Sequence, residues 1–77
     1  MNKVLFFAHL RDAAGTDSVE MDLSGKSVAE VKQIMAEAYG LQKLDQVMVA
    51  VNEEFAADSD VIQAGDTVAF IPPVSGG

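Results

Sequence analysis

The chain has 77 residues, with five lysines and arginines against twelve acids, a formal net charge of −7, 49% hydrophobic residues and no cysteine. That is the size and balance of one folded domain, 1–77, and of no more. Disulfides, thiolate zinc sites and sulfur held on the chain's own thiol are excluded, and so few cations argue against nucleic-acid binding, which needs them to displace phosphate counterions.

A domain this small buries about 60–65% of its unfolded surface, and its stability is expected at roughly 4–12 kcal/mol. A deep internal active site is therefore not expected, and function belongs at the surface or at a terminus. Leu5-Phe6-Phe7-Ala8 is soon followed by Arg11 and Asp12, too short an apolar run for a signal peptide. Nowhere do about 18 apolar residues run together, so the expected compartment is the cytoplasm. The acidic balance has two readings: it suits a partner with a basic docking surface, or it only keeps a small protein soluble.

The first predicted element is a strand over Lys3 to Ala8, rich in apolar and aromatic residues. A polar connection from Arg11 to Gly15, with room for one helical turn, leads to a second strand. There Ser18-Val19-Glu20-Met21-Asp22-Leu23 alternates strictly and sets Val19, Met21 and Leu23 on one face. The two strands are expected to pair as an antiparallel ribbon.

Ser27-Val28-Ala29-Glu30 has the pattern of a capping box, in which each end residue satisfies the other's backbone N–H. The spacing predicts a helix of about twelve residues with Val28, Val31, Ile34, Met35 and Ala38 inward and Gly40 ending it. Gln46 to Val51 reads as the third strand, with Val47, Val49 and Val51 on one side. Asn52-Glu53-Glu54 is a tight reversal into a short return strand at Phe55-Ala56. Gly65-Asp66 turns into the final strand, Thr67 to Ile71, which Pro72-Pro73 stops because proline has no N–H for a ladder.

Hairpin, helix and further strands make an α+β domain with a mixed sheet of four to five strands and one main helix across one face. This order fits the β-grasp (ubiquitin-like) fold, with the first and last strands parallel in the middle. Alternation turns Val4, Phe6, Ala8, Val68 and Phe70 toward the helix. It turns Lys3, Leu5, Phe7, His9, Thr67, Ala69 and Ile71 away from it. Phe7 and Ile71, with Phe55, are candidates for an apolar patch that meets a partner; the other reading buries them, Phe55 above all. Arg11 is a candidate to pair with a partner's acid, or else a solvated cation of little energetic weight.

His9 is the single histidine, and no motif supplies it with catalytic companions. Asp58, Asp60 and Asp66 lack a calcium loop's glycine and closing glutamate, so no metal is expected. Met21, Met35 and Met48 read as core filler.

Residues 71–77 read as an extended, flexible tail. The prolines stiffen its exit from the sheet, and the six residues after Ile71 reach about 20 Å when extended. Gly76 and Gly77 leave no side chain beside a terminal carboxylate. Such an end suits insertion into a narrow channel, with Pro72, Pro73, Val74 and Ser75 lying against the partner. A frayed end or an expression remnant is the other reading, since paired glycines arise by chance about once in 200 chains at a given place.

The stretch Gly65-Asp66-Thr67-Val68-Ala69-Phe70-Ile71-Pro72-Pro73-Val74-Ser75-Gly76-Gly77 resembles the C-terminal signature of molybdopterin synthase small subunits. Val4-Leu5-Phe6-Phe7-Ala8, Leu10-Arg11 and Gly15-Thr16 resemble the same family's first strand and turn, and the helix and Val51-Asn52 fit between, so the likeness covers essentially the whole chain. A bare Gly-Gly is also similar to the thiamine-pathway sulfur carrier and to ubiquitin-like protein modifiers; Phe-Ile-Pro-Pro-Val-Ser-Gly-Gly is more specific.

The resemblance implies a sulfur carrier, not catalytic alone, that binds no cofactor. An activating enzyme uses ATP to adenylate the Gly77 carboxylate, and sulfur from a persulfide donor leaves a thiocarboxylate there. The tail then delivers sulfur to cyclic pyranopterin monophosphate in the large synthase subunit, building the molybdopterin dithiolene of the molybdenum cofactor. It also implies a heterotetramer with two large subunits.

Overall fold

Strand β1 (Asn2–Phe6) alternates buried and outward residues, which places Val4 and Phe6 on the covered side of a sheet. The computed structural model describes residues 1–41 and 44–72. After β1 come α1 (His9–Ala14), β2 (Ser18–Met21), α2 (Val28–Tyr39), a 3₁₀ turn (Leu44–Gln46), β3 (Met48–Val51), β4 (Glu54–Ala56) and β5 (Thr67–Ile71). The sheet order is β2-β1-β5-β3-β4. β1 pairs antiparallel with β2 and parallel with β5, and β3 pairs antiparallel with β5 and β4. With α2 packed on one face, this is the β-grasp arrangement.

The capping box forms as the sequence predicts. The Glu30 N–H donates to Ser27 Oγ at 3.2 Å, and the Ser27 N–H donates to Glu30 Oε1 at 3.3 Å. α2 runs twelve residues to Gly40, whose φ of 66° is left-handed. The next N–H, of Leu41, reaches back to Ala36 O at 3.1 Å and closes the helix end. Leu41 itself is buried after that turn.

The core joins Val28, Val31 and Met35 of the helix to Val4, Phe6, Val49, Val68 and Phe70 of the sheet. Phe6 stacks on Phe70 with ring centroids 6.0 Å apart and meets the Tyr39 ring edge-on at 5.7 Å. Asn2 is the buried polar residue among these apolar ones. Its Oδ1 accepts from the Leu23 N–H at 2.8 Å, and its Nδ2 donates to the carbonyls of Gln63 at 2.8 Å and Asp66 at 3.0 Å. One side chain thus ties β1, the segment after β2 and the turn before β5, with its hydrogen-bonding groups satisfied.

Four expectations need correction. β1 stops at Phe6, and Ala8 is an exposed residue at φ 53° preceding α1 rather than part of the helix-facing row. Leu10 is buried one turn later, in the segment where Ala8 was expected to pack. Ala38 is exposed as well: the last turn of α2 meets the core through Tyr39, and the small alanine methyl stays in solvent. Met48 is 47% exposed rather than core filler, because alternation gives the covered side to Val47 and Val49. Finally, Gln46 belongs to a 3₁₀ turn, not to β3. The Val47 N–H bonds back to Leu44 O at 3.0 Å instead of entering a ladder.

Candidate functional site

Among the described residues, the face of the sheet opposite α2 has no helix on it. Strand register decides which residues share it, because directly paired residues point to the same side. Leu5 lies beside Ala69, Ala69 beside Ala50, and Ala50 beside Phe55. One apolar row therefore crosses four strands. Around it an open groove of about 550 Å³ forms, to which Phe7, Phe55 and Ile71 all contribute.

Phe7 is 46% exposed and Phe55 69% exposed. For Phe55 this decides between the two readings of the sequence: the ring is not core. It has no place in the core because β4 is a three-residue edge strand whose pairing with Ala50 turns Phe55 to the open side. Ile71, half-buried, pairs with Met48, so the exposed thioether extends the patch along β3. Rings and aliphatic groups left to solvent at neighbouring positions are the signature of an interaction surface.

Other predicted site residues stand elsewhere. Arg11 lies on α1 beside a separate shallow groove with Asp12, Thr16 and Asp17. Its Nε is 3.9 Å from Asp17 Oδ1, with both side chains well exposed, an ion pair of little weight. Ile71 is the last residue of β5 and Pro72 is buried, so the extended tail cannot start at 71 as the sequence suggested, and Pro72 offers little free surface. Pro73, Val74, Ser75, Gly76 and Gly77 lie outside the described residues. Ile71, at the end of β5, lines the groove with Phe7 and pairs with Met48.

Reading the sequence missed Ala50, Asn52 and Glu53 as groove residues. The signal was present for Ala50, which falls between Val49 and Val51 in the alternation. For the Asn52–Glu53 turn only the pairing of β3 with β4 could reveal it. The described residues contain no group of three His, Asp or Glu side chains able to hold a metal ion, and no helix is long and apolar enough to cross a membrane.

Comparison with known proteins gives a consistent result. The ThiS family model matches residues 4–77. The molybdopterin synthase sulfur carrier subunit of Escherichia coli K12 is 38% identical over 81 residues, covering all of both chains. That of Arabidopsis thaliana is 32% identical, covering 97% of this chain and 81% of the relative. Among solved structures, SAMP1 from Haloferax volcanii superimposes with a TM-score of 0.79 at 28% identity, covering 99% of this chain and 98% of that one.

Proposed function

The chain belongs to the ThiS family, and from that premise we propose that it is the sulfur carrier subunit of a molybdopterin synthase. The observation that carries the reading is the match, end to end, with relatives that bear that name. The geometry is compatible with it: the sheet presents an open apolar groove, and Ile71, which lines that groove, ends the strand that precedes Gly76 and Gly77 in sequence.

The proposed chemistry takes place on the Gly77 carboxylate. A carboxylate is a poor electrophile because its leaving group would be oxide. Attack of its oxygen on the α-phosphorus of ATP, in an activating enzyme, expels pyrophosphate and makes a mixed anhydride with AMP as leaving group. The terminal sulfur of a donor persulfide displaces AMP, and a thiol cleaves the remaining sulfur–sulfur bond, leaving the thiocarboxylate. In the large subunit this sulfur passes to cyclic pyranopterin monophosphate, and the Gly77 carboxylate is regenerated. Two loaded carriers serve each dithiolene, which holds two sulfurs. The partners supply the acid–base groups; this chain supplies a sulfur on a glycine end with no side chains to obstruct its entry.

Two measurements test the proposal in sequence. Intact mass after incubation with activating enzyme, ATP and a persulfide donor should rise by the difference between sulfur and oxygen, and the Gly77 amide should not change. The loaded protein, mixed with the large subunit and cyclic pyranopterin monophosphate, should then yield molybdopterin. Loading without molybdopterin would reject this acceptor.

A second reading has its own support in the likeness to SAMP1, a small archaeal modifier protein. Under it, Gly77 becomes joined to lysines of other proteins. Isopeptide-linked adducts of higher mass would identify it.

A further inference from the structure

The turn between β3 and β4 is made of two residues, and both are left-handed: Asn52 at φ 53° and Glu53 at φ 71°. Two-residue hairpin turns of this hand match the twist of the strands. Asparagine tolerates the conformation, but the second position favours glycine, and a glutamate there is under backbone strain. Strain of this kind persists only where the surroundings over-determine it.

Here they do. The Asn52 N–H donates to Thr67 O at 2.9 Å, and the Thr67 N–H donates to Asn52 Oδ1 at 3.0 Å. Asn52 Nδ2 donates to Asp66 Oδ1 at 2.8 Å, while Asp66 Oδ2 accepts from the Gln63 N–H at 2.9 Å. The turn is fastened to the start of β5 through Asn52, and Glu53 is carried next to it with its side chain exposed.

Glu53 is also the one charged residue among those lining the apolar groove, beside Phe55 and Thr67. Also on this face, Lys3 and Glu20 lie directly opposite each other across β1 and β2. The ion pairs of the described residues, Arg11 with Asp17 and Lys32 with Asp58, do not involve Glu53. A carboxylate thus stands at the rim of an apolar surface, with no ion pair to it among the described residues.

We propose that the Asn52–Glu53 turn is a preorganised charge latch, and that the occupant of the groove is a partner surface with an apolar anchor and one lysine or arginine aimed at Glu53. The inference rests on the proposed function, which makes the synthase large subunit the partner to test. Charge complementarity favours that occupant over a second copy, because two chains of net charge −7 would bring Glu53 against another acidic surface. Fixing the turn backbone beforehand leaves only the Glu53 side chain to be ordered on binding.

The test is binding of the full chain to the large subunit from the same organism, by calorimetry at low and high salt, for wild type, Glu53→Gln, Glu53→Lys and Glu53→Gly. The expected result is a loss of about two- to fivefold for Glu53→Gln, as for a single rim ion pair. Glu53→Lys should lose roughly a hundredfold at low salt, where like charges meet, and part of that loss should be recovered at high salt. Glu53→Gly should bind as weakly as Glu53→Gln while melting at a higher temperature, since it relieves the turn and keeps the fold. Equal affinity and equal salt dependence across all four chains would overturn the latch and leave the proposed function standing. A wild-type chain that does not bind the large subunit at all would overturn both.

Discussion

The two faces of one sheet are made from the same strands, and the residues that alternate along them have opposite duties. On the covered face, Val4, Phe6, Val68 and Phe70 are buried under α2. On the open face, the residues interleaved with them, Leu5, Phe7, Ala69 and Ile71, line a groove. The period of two along a strand makes this division automatic. What distinguishes the faces is the main helix, α2, whose twelve residues cover only one side. Apolar residues left exposed on the open side, Phe7 and Phe55 above all, gain little from folding, so their place there points to a partner.

The comparison breaks most visibly if the covered face is cut. Phe70→Ala removes a fully buried ring stacked on Phe6 and should cost about 3–5 kcal/mol. Against a total expected at roughly 4–12 kcal/mol, urea unfolding should begin near zero denaturant in the less favourable case. Asn2→Ala, on the same face, strips the acceptor from the buried Leu23 N–H and the donor from two carbonyls. It should lower the unfolding free energy by about 2–3 kcal/mol, and an unchanged denaturation midpoint would show that water replaces the amide.

The open face should answer differently. Phe55→Ala is expected to leave the unfolding free energy within about 0.5 kcal/mol of wild type, while the affinity for the large subunit falls at least about tenfold. If instead the variant unfolds and binds normally once refolded at low temperature, the two faces do not divide the work as described.

The smallest effect belongs to neither face. Asp22, at the surface after β2, has its carboxyl held below the usual carboxylate range, chiefly by the Ser24 hydroxyl and then by the Ser24 N–H. A carboxyl lowered in the folded state adds stability above its unfolded value and loses it as pH falls through the folded one. Asp22→Asn should therefore lower stability slightly near neutrality and flatten the acid limb of a stability-against-pH curve, the two proteins converging at low pH.

Much of the architecture was legible because local chemistry dictates it. Ser27 and Glu30 cap α2 whatever surrounds them, Gly40 ends it at low cost, and the alternation of β5 from Thr67 to Ile71 set both its extent and its faces. The Phe-Ile-Pro-Pro-Val-Ser-Gly-Gly ending carries its resemblance in residue type and order alone.

Only the tertiary structure decided how far those patterns run and what they meet. Ala8 continues the alternation of β1 on paper, yet the chain turns at φ 53° to begin α1. Phe55 could have gone either way, and its pairing with Ala50 on an edge strand turned it outward. Glu53 carried no signal until β3 and β4 closed their turn and three hydrogen bonds of Asn52 fastened that turn to Asp66 and Thr67 at the start of β5. Propensity and periodicity act over a few residues and are written in them; the open groove is assembled from positions 5 to 71, and contacts across that separation exist only once the strands have paired.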